Sequence, residues 1–202
     1  SPPKPAPAGE KPWAPKRAIL WQFQGRYIIG QEEDGLLIVD QHAAHERVIY
    51  EATLKSLADR PIAGQQLLFP LTVELSPEQR GLMEEALPLL QHLGFEIRPF
   101  GPNTVLIEAV PNFIRPGDQR RIFLEVLDQL LEDRTEGSGL RERLAAALAC
   151  KAAVKDGDPL SEEEMEHLLH NLFSTEQPFS CPHGRPTLIR IPLSELDRKF
   201  GR

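Results

Sequence analysis

The residues of this chain best able to do chemistry lie in two short segments far apart in sequence. Asp40-Gln41-His42-Ala43-Ala44-His45-Glu46-Arg47 follows the apolar run Leu36-Leu37-Ile38-Val39 and opens a helix. His42 and Glu46 stand four residues apart, so on a helix they project from one face, a turn apart. Ser180-Cys181-Pro182-His183-Gly184-Arg185-Pro186 offers a thiol and an imidazole separated by one proline, in a loop pinned by Pro182, Gly184 and Pro186. Cys150 ends the alanine-rich stretch Leu144-Ala145-Ala146-Ala147-Leu148-Ala149 and adds a second thiol. Carboxylates, imidazoles and thiolates are the ingredients of a zinc or other transition-metal site. If the cysteine loop folds over the strand–helix junction, Asp40, His42, Glu46, Cys150, Cys181 and His183 exceed the four ligands of a structural zinc. A surplus that includes carboxylates points to an open position or to two ions, zinc beside a harder ion such as manganese.

Taken singly, each of these residues has an ordinary explanation. A His-x-x-x-Glu pair on a helix is usually a solvated pair worth a few tenths of a kcal/mol, and a buried cysteine usually acts as a small hydrophobe. His45, His92, His167 and His170 stay with those ordinary roles. A cysteine-hydrolase dyad of Cys181 and His183 is a further option, but a nucleophile and its base normally meet from separate elements. The pairing of the two segments is what makes the metal reading.

Composition sets the outer limits. The chain has 202 residues with 41% apolar and 26% charged content, ordinary for a water-soluble globular protein, and no apolar run long enough to span a membrane. Two cysteines without an apolar leader fit a reducing, cytoplasmic setting. The formal charge of −7 argues against tight, independent binding to a nucleic-acid backbone, so a DNA substrate would have to be delivered by something else. The first residues, SPPKPAPAGEKPW, read as a proline-rich tether, residues 1–16, leading back to a missing N-terminal part of a longer protein.

The elements that must position these residues follow from pattern. Arg17–Phe23 and Arg26–Gln31 read as strands around a Gln24-Gly25 turn, with Trp21 and Phe23 either a dimer surface or part of the protein's own core. Leu36–Asp40 reads as a third strand buried on both faces, and Ala43–Leu57 as a helix. A βαββα stretch from Leu71 to Leu131 includes a helix opened by the capping box Ser76-Pro77-Glu78-Gln79. Ser161-Glu162-Glu163-Glu164 opens another helix, and a strand at Thr187–Ile191 and a short helix at Ser194–Phe200 close the chain. The expectation is an α+β fold: a core subdomain from both ends of the chain, residues 17–70 and 137–202, with a smaller subdomain, residues 71–136, inserted between.

These motifs closely resemble those of the C-terminal domain of the MutL family of DNA mismatch-repair proteins, in the branch that carries a nicking endonuclease. Asp40 to Arg47 with Glu51 is similar to its Asp-Gln-His-Ala-x-x-Glu-Arg motif and following glutamate. Ala149-Cys150-Lys151, Cys181-Pro182-His183-Gly184-Arg185-Pro186 and Phe200-Gly201-Arg202 are similar to three further motifs in the same order, so the resemblance runs from about Arg17 to the end. It implies a homodimer, an inserted external subdomain, and an ATPase half beyond the tether through which ATP and a mismatch-recognition protein act. It implies Asp40 as the essential acid of the nicking site, with His42 and Glu46 beside it. His42, Glu46, Cys150, Cys181 and His183 are implied as metal ligands, zinc being structural or regulatory and manganese supporting turnover. Arg185 is implied at the scissile phosphate or as a loop-stabilising cation, and Glu51 as a more distant ion-pair partner. Gln65-Gln66-Leu67-Leu68-Phe69-Pro70 resembles the peptide by which repair proteins dock on the sliding clamp, through Gln65, Leu68, Phe69 and Pro70, although Leu68 and Phe69 could simply be core. Such a tether would raise the effective concentration of an acidic nuclease on DNA. Against the nicking enzyme stands a non-catalytic alternative, a dimerisation and clamp-docking module in which zinc staples the Cys181 loop to the helix.

Overall fold

The computed structural model describes residues 19–133 and 139–202. In chain order the elements are β1 (Leu20–Phe23), β2 (Tyr27–Glu32), β3 (Gly35–Asp40), α1 (Gln41–Ala58), β4 (Gly64–Glu74), α2 (Pro77–His92), β5 (Glu96–Pro99) and β6 (Thr104–Pro111). They continue with α3 (Gln119–Glu132), α4 (Leu140–Ala152), α5 (Glu162–Phe173), β7 (Leu188–Pro192) and α6 (Leu193–Phe200). The class is α+β, as the pattern predicts, and among the described residues every strand pairing is antiparallel. The proline-rich tether, residues 1–16, lies outside the described residues.

Two compact units divide the described residues: 19–48 with 154–202, and 49–133 with 139–153. These breaks differ from the 70/71 and 136/137 positions that the sequence pattern favours. Apolar packing explains the difference. Ile49 and Leu57 of α1, and Leu144, Ala147, Leu148 and Ala152 of α4, share one buried cluster with the inserted strands and helices.

In the first unit, the four-stranded sheet β1-β2-β3-β7 turns one face to a core of Leu20, Ile28, Leu37 and Val39, covered by Ala44 of α1 and by Met165, Leu168, Leu169 and Leu172 of α5. The expectation that β3 is buried on both faces is wrong: Leu37 and Val39 are buried while Leu36, Ile38 and Asp40 are only partly so, the alternation of a one-sided sheet. Helix α5 begins with the predicted capping box, in which Ser161 and Glu164 satisfy each other's backbone N–H groups. At the β1–β2 turn, Gln24 and Gly25 both have positive φ, and a Cβ on Gly25 would stand 2.8 Å from Gly157 Cα.

The second unit packs α2, α3 and α4 with the sheet β4-β6-β5 around one core that includes Phe95 and Phe123, whose ring centroids are 5.8 Å apart. The Ser76 capping box forms as predicted. Strand β4 starts at Gly64, earlier than the expected Leu71, and its register against β6 breaks between Gln66 and Leu71.

Candidate metal centre

Helix α1 starts directly where β3 ends, and Asp40 makes the junction. Its Oδ1 accepts the Ala43 N–H at 2.9 Å, which satisfies a donor left open in the first turn of the helix. His42 follows on the face turned to the segment after α4. Its Nδ1 lies 2.8 Å from the Val154 carbonyl, and a carbonyl only accepts, so Nδ1 carries a proton. Nε2 then points to Glu46 Oε1 at 3.2 Å. Glu46 is 1% exposed, one turn further along.

The cysteine loop reaches the same carboxylate. A bridge pairs Ser180 with Pro186, Cys181 N–H donates to Arg185 O at 2.8 Å, and Gly184 N–H donates to Cys181 O at 2.9 Å. Gly184 has φ +79°, a conformation suited to glycine. Arg47 Nε donates to Ser180 O at 2.6 Å and ties the loop to α1. His183 Nδ1 lies 3.5 Å from Glu46 Oε2, and Arg185 Nη2 donates to the same oxygen at 2.9 Å. Burial pushes the Glu46 carboxyl up, but His42, His183 and Arg185 outweigh it and hold the group down to about 2. The His42 ring is raised, chiefly by its bond to Glu46. Arg185 is raised too, first by its hydrogen bond to Cys181.

Among the described residues, the donors that gather are Glu46, Cys181 and His183, whose ligand atoms lie within 4.8 Å of one another. Ligands at about 2.0–2.3 Å around a tetrahedral zinc stand about 3.3–3.8 Å apart, so a modest contraction would close this set on an ion. One oxygen, one nitrogen and one sulfur, with the oxygen already ionised, suit zinc. The other members of the six-residue set expected from sequence have separate places. His42 touches Glu46 without joining the triad, Asp40 is the cap of α1, and Cys150 is carried by α4 in the second unit. Glu51 also falls in the second unit. The burial of Cys181 counts against a hydrolase nucleophile, which substrate must reach.

Sequence reasoning missed the frame around these donors. Val154 N–H donates to His45 Nδ1 at 3.0 Å, so two histidines of α1 hold the two polar groups of one residue. Gln41 is fully buried: its Nε2 donates to Gly25 O at 2.7 Å and Lys155 O at 3.0 Å, and its Oε1 accepts from Gln22 Nε2 at 2.6 Å. An amide wedged between Asp40 and His42 was the available signal.

Two other surfaces bear on function. Leu68 is 88% and Phe69 78% exposed, which removes the core explanation for these two residues, while Leu67, between them and Gln66, packs against the core. On the first unit, Trp21, Ile29, Ile38 and Ile189 stand opposite one another across β1, β2, β3 and β7, an apolar row on the face away from the core. Its outer members are well exposed, Trp21 at 44% and Ile189 at 53%.

A family model described as the MutL C terminal dimerisation domain matches residues 20–160. This chain belongs to the MutL C-terminal dimerisation domain family. It is similar to the DNA mismatch repair protein MutL of Chlorobaculum tepidum, 44% identical over 196 residues, which cover 96% of this chain and 31% of that protein. The proteins of that name from Chlorobium luteolum and Chlorobaculum parvum are each 42% identical, covering 97% and 98% of this chain and 30% and 32% of their own lengths. The chain thus spans about a third of the length of the curated MutL relatives it matches. Among the described residues, no helix of this MutL-family chain is long and apolar enough to cross a membrane.

Proposed function

We propose that this chain is the dimeric, endonuclease-bearing C-terminal part of a cytoplasmic mismatch-repair protein, which nicks one strand of duplex DNA with a bound metal and under direction of the sliding clamp. The observation that carries this reading is the convergence of Glu46, Cys181 and His183, from a helix and a distant loop, with Arg185 beside them. Glu46, Cys181 and His183 would hold zinc, with His42 in reserve on the other carboxylate oxygen. The oxygens of Asp40 and Glu46 suit manganese better than the thiol does. A bound ion supplies a polarised phosphate oxygen and a water of lowered pKa. The protein's own part is to keep Glu46 ionised, to fix the His42 ring through Val154, and to present Arg185, whose planar fork matches a phosphate.

The apolar row on the outer sheet face supports a homodimer in which a second copy covers Trp21, Ile29, Ile38 and Ile189, burial that would remove four large apolar side chains from water. Gln65, Leu68, Phe69 and Pro70 would dock on the clamp, and the exposure of Leu68 and Phe69 supports that assignment. With a net charge of −7 the chain binds DNA weakly by itself, and the clamp, a mismatch-recognition protein and an ATP-binding N-terminal part of the full-length protein would bring it there.

The second reading, a non-catalytic zinc-stapled dimerisation and clamp-docking module, is favoured by one observation: the Asp40 carboxylate is engaged as a helix cap and stands outside the gathered donors. Nicking of supercoiled plasmid separates the two. Full-length wild type, Asp40→Asn and Cys181→Ser are compared with manganese and clamp present. Manganese-dependent nicking that Asp40→Asn abolishes is expected. Bound zinc with no nicking by any of the three gives the scaffold the lead.

A further inference from the structure

We propose that the Arg185 guanidinium and a divalent ion compete for the same place, so that metal loading displaces Arg185 from Glu46 and Cys181 and frees it to grip a phosphate. The inference rests on the metal-centre reading above and adds an order of events to it: metal first, phosphate second.

The argument starts from the two oxygens of Glu46. Oε1 faces His42 Nε2 at 3.2 Å. Oε2 faces both His183 Nδ1, at 3.5 Å, and Arg185 Nη2, at 2.9 Å. An ion bound by His183 and Glu46 therefore uses Oε2, the oxygen to which Arg185 donates. The third donor gives the same answer, because the guanidinium is also hydrogen-bonded to Cys181. Arg185 thus engages two of the three gathered donors, and a divalent ion on those atoms would stand within a few ångströms of a fixed positive charge. The alternative, an arginine that steadies a ligand from behind, requires the carboxylate to offer the ion its other oxygen, and His42 faces that one.

Displacement is mechanically easy. What holds the loop is backbone: Cys181 N–H to Arg185 O, Gly184 N–H to Cys181 O and the Ser180–Pro186 bridge. The Arg185 side chain is 54% exposed, so its head can swing away without disturbing those bonds. Once released, it remains tethered at the rim of the centre, next to where a metal-bound phosphate oxygen would lie, with two parallel N–H donors to offer.

The test is cobalt(II) titration of the full-length, chelator-stripped protein, read from the visible bands that cobalt gains on thiolate coordination. Arg185→Gln is expected to bind cobalt more tightly than wild type, by about tenfold or more, the size of effect that neighbours of metal ligands exert. Arg185→Lys keeps the charge but cannot bond Glu46 and Cys181 together, and is expected between the two; it gives the same ordering if the glutamine variant fails to fold. A second readout is binding of a short DNA duplex: cobalt should strengthen it in wild type and leave it unchanged in Arg185→Gln. Equal or weaker cobalt binding by both variants overturns the competition while leaving the metal centre standing. No cobalt bands in wild type overturns the metal centre and the competition with it.

Discussion

At Glu46 a carboxylate almost wholly removed from water stays ionised because two imidazoles and a guanidinium surround it. Its folded-state value of about 2 lies below the ordinary 4.5, so the group contributes stability in full above pH 4.5 and loses it as pH falls through about 2. His42 runs the other way: its raised value contributes below 6.5 and fades as pH climbs past the shifted value. Urea melts of chelated protein should therefore show wild type losing up to about 3 kcal/mol between pH 4.5 and 2 beyond what Glu46→Gln loses. Parallel losses in the two would remove Glu46 as the cause. Asp40 allows a similarly clean separation. Asparagine caps helices as well as aspartate does, so Asp40→Asn should melt within about 0.5 kcal/mol of wild type, whereas Asp40→Ala should cost about 1 kcal/mol. Loss of nicking by the asparagine variant would then report chemistry and not folding. Cys181→Ser is expected to purify with far less zinc, measured by elemental analysis, because a hydroxyl is a poor substitute for a thiolate.

Among the elements, β4 carries the sharpest contrast between local and distant determinants. Leu68 and Phe69 stand in the register break between Gln66 and Leu71, exposed to solvent. Changing both to alanine should leave stability within about 0.5 kcal/mol and abolish capture of the protein on immobilised clamp; retention of clamp binding would assign the motif elsewhere. The same strand shows what a sequence can reveal. The helix starts at Ser76 and Ser161 were legible because a capping box is settled within four residues. The start of β4 was not, since a strand whose side chains face solvent carries no apolar alternation, and only its partner β6 defines it. The burial of β3 was misjudged for a related reason: Leu36 and Ile38 are apolar but lie on the outward face. In the site, the residue types of Glu46, Cys181 and His183 were readable, while the grip of His42 and His45 on Val154 depends on a segment more than a hundred positions away.

For the whole molecule, the proposed dimer interface is the apolar row across β1, β2, β3 and β7. Trp21→Glu with Ile189→Glu should convert a dimer at micromolar concentration to a monomer in sedimentation velocity, with the far-ultraviolet spectrum unchanged; a wild-type monomer at that concentration would refute the proposed interface. The sheet bearing that row also imposes a timetable on the protein's birth. Val39 pairs with Leu188, so β3 has no neighbour on that side until about 150 further residues have left the ribosome. By then all of residues 49–153 have emerged and can fold around their own cluster. The opening hairpin must meanwhile wait as a half-built sheet, with Ile28, Leu37 and Val39 lacking the α5 residues that cover them. That interval is when a nascent chain needs a chaperone, and a premature stop between residue 153 and β7 would release a protein whose inserted unit is sound and whose first sheet lacks its fourth strand.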